Sequence, residues 1–450
     1  MSFDNRNVSV SQLQESGVLL VEDGNHGEYR PLKHEFGNVG TAFIRAADLD
    51  DGEIKFEVAE RINQVATSRI RKGIGKPGDV LISHKGTLGK VGFAKDDAPP
   101  FVCSPQTTFW RVLNEGELDR LYLFAYMRSP QFKRMFSTYG GETDMAPYVS
   151  LTSQRALEFC LPSIERQRAI GIIVSSLDAK ITLNRKTNET LEAMARALFK
   201  SWFVDFDPVR AKAEGRATGL PDEISDLFPD SFEETELGEI PRGWEVQAIS
   251  EVVDSIFDGP HATPAESDTG HVFLGIKNMS GTRIELDEIR LIHDDDWEAW
   301  TRRVEPQPND IVFTYEAALG LFGLIPPKLK CCLGRRMALI RPLSENGSPH
   351  FWFHQFIADP FQRIITKRCI HGATVNRTPL TEFPGYPVLT PPLPLRNHFE
   401  GVVSGLWASI HASSEQSRTL VPLRDTLLPK LISGELRIPD AERLLEEAIV

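Results

Sequence analysis

Two stretches of this chain follow the same plan about 230 residues apart, and a duplication of that length dictates architecture before any local motif does. Each copy opens near a DGxH tetrapeptide, Asp23-Gly24-Asn25-His26 and Asp258-Gly259-Pro260-His261. Phe43-Ile44 then matches Phe273-Leu274, Ile54 matches Ile284 and Ile62 matches Ile292, all at an offset of 230. Gly78-Asp79-Val80-Leu81-Ile82, Leu88-Gly89 and Gly92 match Asn309-Asp310-Ile311-Val312-Phe313, Leu319-Gly320 and Gly323 at an offset of 231. Ser129-Pro130 faces Asp359-Pro360, and Leu161-Pro162 faces Leu393-Pro394. The order and near-constant spacing of these weak matches exclude coincidence.

Short β-branched runs bounded by Gly and Pro, Asp79 to Ser83 and Asp310 to Thr314, read as strands, while Leu118 to Phe136 and Phe351 to Thr366 read as amphipathic helices. Each copy is therefore expected to be a mixed α/β globule, an α+β class, followed by one long helix. The helices carry a sustained 3-4 apolar seam. The first runs Ile170, Val174, Leu177, Ile181, Asn184, Asn188, Leu191, Ala195, Leu198, Trp202; the second runs Phe399, Val403, Leu406, Ile410, Ser413, Ser417, Leu420, Arg424, Leu427, Leu431, at a constant offset of 229. Both turn polar at mid-length. Antiparallel pairing with centres aligned predicts Asn184 near Ser417 and Asn188 near Ser413, a polar layer that lowers stability but fixes register. Pro422 and Pro429 predict a kink or early break near the end of the second helix. The expected divisions are a globule at 1–163, a helix at 164–206, an acidic linker at 207–240, a second globule at 241–394, a helix at 395–436 and a tail at 437–450.

Composition narrows the function. The net charge of −13 argues against indiscriminate nucleic-acid binding, but its distribution is uneven. Asp222 to Glu239 holds eight acids and no bases, whereas Glu60 to Lys95 holds eight Lys or Arg against two acids. Cys103, Cys160, Cys331, Cys332 and Cys369 form no metal or disulfide spacing and read as reduced thiols. The start of the chain lacks a signal-peptide pattern and no apolar run is long enough for a bilayer, so a cytoplasmic, non-membrane protein is expected.

No catalytic constellation stands out. Neither [ND]PP[YF] nor GxxxxGK[ST] occurs; Asp97-Ala98-Pro99-Pro100-Phe101 has an inserted Ala98 and reads as a turn. Glu53-Ile54-Lys55 has the ExK spacing of metal-dependent nucleases without a preceding Pro-Asp, and reads as a solvated strand. No metal site is expected. His26 and His261 read as turn-stabilising residues. Candidate DNA-binding residues are Arg69, Arg71, Lys72, Lys76, Lys85, Thr87 and Lys90 in the first copy, beside Gly86 and Gly89, because cations and close-approaching backbone suit phosphate and guanine edges. In the second copy they are Tyr315 and Glu316, with Arg335, Arg336 and Arg377, and Lys328 and Lys330, for positioning. Met194, Phe199 and Phe203, on the outer face of the first helix, are candidates for docking partner chains.

Two globules related by an approximate two-fold through paired helices match the two-fold of duplex DNA. Each is expected to read its own half-site, and the 33-residue seam from Ile170 to Trp202 spans roughly 50 Å, about one and a half turns of B-DNA. Leu161-Pro162, Glu165-Arg166-Gln167-Arg168, Leu183-Asn184-Arg185 and the run Asn188 to Pro208 resemble the central region of type I restriction-modification specificity subunits. Leu423 to Leu436 resembles that family's distal region, and Ile240 to Val246 the opening of its second target-recognition domain. The resemblance implies double-stranded DNA and two methyltransferase (modification) subunits as partners. Those subunits supply adenine-N6 methylation from S-adenosylmethionine, and added restriction subunits use ATP and Mg. This chain would then be a non-catalytic subunit without a cofactor. A coiled-coil adaptor that binds no DNA, and a related system with methylation and cleavage fused in one partner, stay open at this point.

Overall fold

The computed structural model describes residues 5–50, 52–140, 147–235, 238–343, 347–371 and 375–449. The chain divides into two compact units. Unit 1 holds Met1–Asn184 and Glu415–Val450; unit 2 holds Arg185–Ser414. The divisions therefore cut through both long helices, Ile164–Phe203 and Leu393–Ser433, and each unit takes half of each.

In unit 1 a four-stranded antiparallel sheet is centred on Val80–Ser83 and Thr107–Val112, flanked by Val91–Phe93 and Leu19–Asp23. All four residues of Val80–Ser83 are buried, so the strand is apolar on both faces. A second sheet, of five short strands, pairs Thr41–Ile44 in parallel with Phe101–Cys103. Unit 2 repeats the arrangement with Ile311–Thr314, Met337–Pro342, Phe322–Leu324 and Val253–Asp258, and a parallel pair of His271–Leu274 with Cys331–Leu333.

The same polar contacts fix the frame in both units. Asp79, fully buried before the central strand, accepts from Arg111 Nε and Nη2 at 2.7 Å each; Asp310 accepts from Arg341 at 3.0 and 2.6 Å. Gly40 and Gly270 sit at φ 122° and 121°, where a Cβ would lie 2.1 Å from the Ile62 carbonyl oxygen and 2.0 Å from that of Ile292. Only glycine fits either turn.

Each expected amphipathic helix is in fact two. Arg120–Arg128 is followed by Pro130–Thr138, and Pro349–Ile357 by Asp359–Lys367. In unit 1 the reason is local: a residue before proline is driven out of the helical region, and Ser129 at ψ 148° instead caps the second helix by accepting from Phe132 N. In unit 2 the break falls at Ala358, ψ 147°, with Pro360 inside the first turn of the helix that follows. The long helix Leu393–Ser433, by contrast, passes through Pro422 and Pro429 without the expected early break. Leu420, Leu427, Leu428 and Leu431, all nearly fully buried in unit 1, hold that segment in place of the lost backbone donors.

Helix pairing is antiparallel within each unit. In unit 1 Ile170, Val174 and Leu177 share a core with Leu420, Leu427 and Leu431, with Ile181 packed at its margin. Asn184 Nδ2 donates to Gln416 Oε1 at 3.0 Å and to Ser417 Oγ at 3.2 Å. In unit 2 Phe199 and Trp202 share a core with Phe399, Val403 and Ile410, with Leu191, Leu198 and Leu406 at its margin. There Asn188 Nδ2 donates to Ser414 Oγ at 3.0 Å, beside the expected Ser413.

The acidic stretch is built into unit 2. Asp207–Ala213 is helical, Phe232–Thr235 pairs with Gly238–Pro241, and Val209 and Phe228 join the core. The C-terminal helix Ile438–Ile449 buries Ala441 in unit 1. No helix among the described residues is long and apolar enough to cross a membrane.

Candidate nucleic-acid interface

Beyond its central strand each unit forms the same looped tip. Ser83 N donates to Lys90 O and Gly89 N to Ser83 O; in unit 2 Thr314 N donates to Leu321 O and Gly320 N to Thr314 O. The side chains close the loops alike, with Lys90 N donating to Ser83 Oγ at 2.9 Å and Leu321 N to Thr314 Oγ1 at 3.2 Å. A neighbouring segment clamps each loop: Gly86 N donates to Pro147 O and Val149 N to His84 O, as Ala317 N does to Asn376 O and Thr378 N to Tyr315 O. Finally His84 N donates to Gln106 O and Tyr315 N to Arg336 O. The turns need left-handed backbone at matching places, Gly86 and Gly89 at φ 82° and 78°, Ala317 and Gly320 at φ 70° and 71°.

The bases of the tips differ chemically. His84, buried, has Nδ1 3.1 Å from the Val149 carbonyl oxygen, and its Nε2 faces Asp23 Oδ1 at 3.9 Å. Burial pushes this imidazole below its ordinary value. In unit 2 the ring is Tyr315, whose phenol is pushed up by burial and by the facing Asp258 carboxylate. Asp258 and Asp23 both come from the DGxH segments. The histidines of those segments act locally, as expected: His26 Nδ1 lies 2.9 Å from Gly24 O, and His261 Nε2 lies 2.7 Å from Asp258 Oδ2.

The sequence-derived cations sort into two groups. Lys72, Lys76, Lys85 and Thr87 are exposed and Lys90 is half-exposed. Arg71 is exposed but leans on the carbonyls of Ser68 and Ile70. Arg69 is committed internally: its guanidinium donates to both oxygens of the buried Glu35, at 2.6 and 2.5 Å, and holds that carboxyl at about 2. A structural role thus replaces the expected phosphate contact, because the pair already satisfies the charge. In unit 2 Glu316 is held by Arg336 Nε at 3.2 Å and faces Arg377 through a backbone bridge. Arg335 and Arg377 are exposed, Tyr315 is buried beneath them, and Lys330 lies over the Trp297 ring at 4.6 Å. Lys328 is exposed.

Gln106 and Tyr148, both exposed at the first tip, carry no sequence signal by themselves; offsets of 230 and 229 place them opposite Arg336 and Arg377. Lys85 and Tyr148 form a backbone bridge, as Glu316 and Arg377 do. Elsewhere Lys55 pairs with Asp50 at 2.5 Å and Lys95 with Glu53 at 3.6 Å, which leaves the ExK segment as a salt-bridged surface hairpin.

Phe199 and Phe203 do not lie on an outer face. They are 2% and 3% exposed and pack against Phe351 and Phe399 in unit 2, because the helix there buries more than its seam. Met194, 53% exposed, is the member of that trio left at the surface.

Residues 26–193 match the family model described as the type I restriction modification DNA specificity domain. The chain is 26% identical over 421 residues to the type I restriction enzyme HindI specificity subunit of Haemophilus influenzae, covering 80% of this chain and 87% of that one. It is 23% identical to the MjaIX specificity subunit of Methanocaldococcus jannaschii, covering 84% and 82%. The crystal structure of a type I restriction-modification S subunit from M. genitalium shares the fold over 96% of both chains, with a TM-score of 0.59 at 14% identity. The specificity-domain match and these near full-length likenesses together make the chain similar to type I restriction-modification specificity subunits along most of its length.

Proposed function

We propose that this chain is a specificity subunit that reads an interrupted, asymmetric DNA target, one block through the tip of each unit. The carrying observation is that two tips with the same hydrogen-bonded frame end in different side chains: Lys85 and Tyr148 stand where Glu316 and Arg377 stand in the other copy. A shared frame presents side chains to base edges in the same way, and different side chains select different bases. Exposed Lys72, Lys76, Lys85 and Arg335 would add phosphate contacts that position the duplex. The exposed surface of the long helices, Met194 included, would dock two modification subunits, with restriction subunits completing the complex.

On this reading the chain itself is not an enzyme and binds no cofactor; S-adenosylmethionine, ATP and Mg belong to its partners in the cytoplasm. The test is to express the chain with the modification subunits of its own host and map methylated adenines by single-molecule sequencing. Two different defined blocks separated by a fixed undefined spacer are expected. A continuous or palindromic motif, or methylation by the purified chain alone with S-adenosylmethionine, would overturn the reading.

A further inference from the structure

We propose that Lys85, Gln106 and Tyr148 in unit 1, and Glu316, Arg336 and Arg377 in unit 2, are the residues that set which bases each unit accepts. The inference rests on the DNA-reading function proposed above and adds the identity of the readers.

Three observations converge on these six positions. The first is geometric equivalence. Residues 84–90 and 315–321, 106 and 336, and 147–149 and 376–378 are joined by matching backbone hydrogen bonds in each unit. Within that frame, three inward-facing or turn positions keep their character: Ser83 and Thr314, Leu88 and Leu319, Gly89 and Gly320. The outward positions do not, for lysine becomes glutamate, glutamine becomes arginine and tyrosine becomes arginine. These three exchanges fall on side chains that a ligand can touch, above a buried base that also changes, His84 to Tyr315 and Val149 to Thr378.

The second is that the frame is held against a conformational cost in unit 2. Ala317 and Arg336 occupy left-handed backbone, at φ 70° and 72°, without being glycine. A surface loop free to drift would relax such residues into ordinary backbone; both are kept, and Arg336 is one of the proposed readers. The third is chemical order. Glu316 and Arg336 pair at 3.2 Å while each side chain remains nearly 30% exposed, so the guanidinium is oriented yet still offers N–H groups outward. Arg377 stands exposed on the segment bridged to Glu316.

These side chains have definite base preferences. The planar fork of arginine suits the O6 and N7 acceptors of guanine, and the amide of glutamine suits N6 and N7 of adenine. The block read by unit 2 is therefore expected to contain a guanine that depends on Arg377, and the block read by unit 1 an adenine that depends on Gln106.

The experiment expresses the full chain, wild type or variant, with its own modification subunits in a strain lacking the system, and maps modified adenines across the genome. Arg377→Gln is expected to relax or change one or two positions of one block, with discrimination there reduced about tenfold, while the other block is untouched. Gln106→Arg should do the same to the other block only. Arg377→Lys serves as the second variant. A phosphate-positioning role would survive with the charge retained and leave the motif intact, whereas reading by the fork relaxes it.

If a variant gives no modification, its complex is assayed for binding to duplexes with one block of the wild-type motif randomised. Indifference to its own block with preference for the other supports the assignment, and equal loss for both overturns it. An unchanged motif in all three variants, or alteration of both blocks by one variant, also overturns it. A wild-type complex that yields no interrupted motif instead sinks the proposed function, so the two failures are distinguishable.

Discussion

Arg128, Asp178 and Arg424 form a nearly buried triad in unit 1, with side chains 11%, 16% and 12% exposed. Asp178 accepts from Arg128 Nη1, and from Arg424 Nη1 at 2.8 Å. Asp178→Ala takes the shared carboxylate from two guanidinium groups that water barely reaches. Breaking a buried pair from one side costs about 3–5 kcal/mol. Arg424 keeps Asp425 at 2.9 Å, which offsets part of the loss, so the low end is expected. For a unit of about 220 residues, about 3 kcal/mol lowers the melting temperature by roughly 6–12 °C. Calorimetry would measure the shift, and hydrogen exchange of residues 164–184 would assign it to unit 1. The repeat supplies its own control, since the equivalent positions in unit 2 are Ala358, Trp407 and Ala195. Replacing the whole triad with that apolar set, Arg128→Ala, Asp178→Trp and Arg424→Ala, should cost little or even stabilise, because no charge is left unpaired. A single variant that melts within about 2 °C of wild type, less than 1 kcal/mol on this scale, or a triple variant as unstable as the single one, would refute the reasoning.

Glu35, held at about 2 against an ordinary 4.5, stabilises unit 1 fully above pH 4.5 and progressively less as the pH falls toward 2; Arg69→Gln should flatten that part of the melting-temperature profile between pH 5 and 3. Asn188 is 8% exposed with its carbonyl oxygen unpartnered among the described residues, and its partner Ser414 is exposed, so Asn188→Leu should leave thermal stability unchanged or raise it by about 1 kcal/mol. Gly40→Ala places a Cβ about 2 Å from the Ile62 carbonyl and should destabilise the five-stranded sheet of unit 1 by several kcal/mol, roughly 3 or more, in urea unfolding. In the assembled complex, Lys72, Lys76 and Lys85 changed together to Gln should weaken DNA binding for all sequences alike and reduce the slope of log affinity against log salt by up to about 2.7, measured by gel shift; an unchanged slope removes these lysines from the interface.

The duplication and the helical seam were legible in the sequence because both rest on periodicity, which survives wherever a face must be buried. The pairing of Asn184 with Ser417 followed from seam arithmetic alone. Other features turned on single contacts that periodicity does not encode. Arg69 reads as a free cation until Glu35, 34 residues away, is brought beside it. Phe199 and Phe203 lie off the seam, so they read as outward-facing until the aromatic core of unit 2 wraps that side of the helix. Pro422 and Pro429 read as breakers because their local backbone cost is visible in the sequence and the burial of the leucines that outweighs it is not. Gln106 and Tyr148 carried no signal of their own; only their places opposite Arg336 and Arg377 mark them.

What the two copies keep is mostly polar. The Asp–Arg pairs at 79–111 and 310–341, the hydroxyls of Ser83 and Thr314 and the backbone bonds of the tips recur, while the surrounding cores differ, aromatic and tyrosine-rich around Tyr122 and Tyr126 in one and phenylalanine-rich around Phe351 and Phe356 in the other. Apolar packing tolerates such exchange when volume and pattern are kept, but a buried carboxylate or a looped backbone does not tolerate the loss of its partner. Geometry at the tips is consequently insulated from changes in the core, and the exposed side chains on them are insulated from the frame. A chain built this way can change the side chains exposed on one tip without disturbing its fold or the other tip, which is what the proposed reading of two different blocks requires.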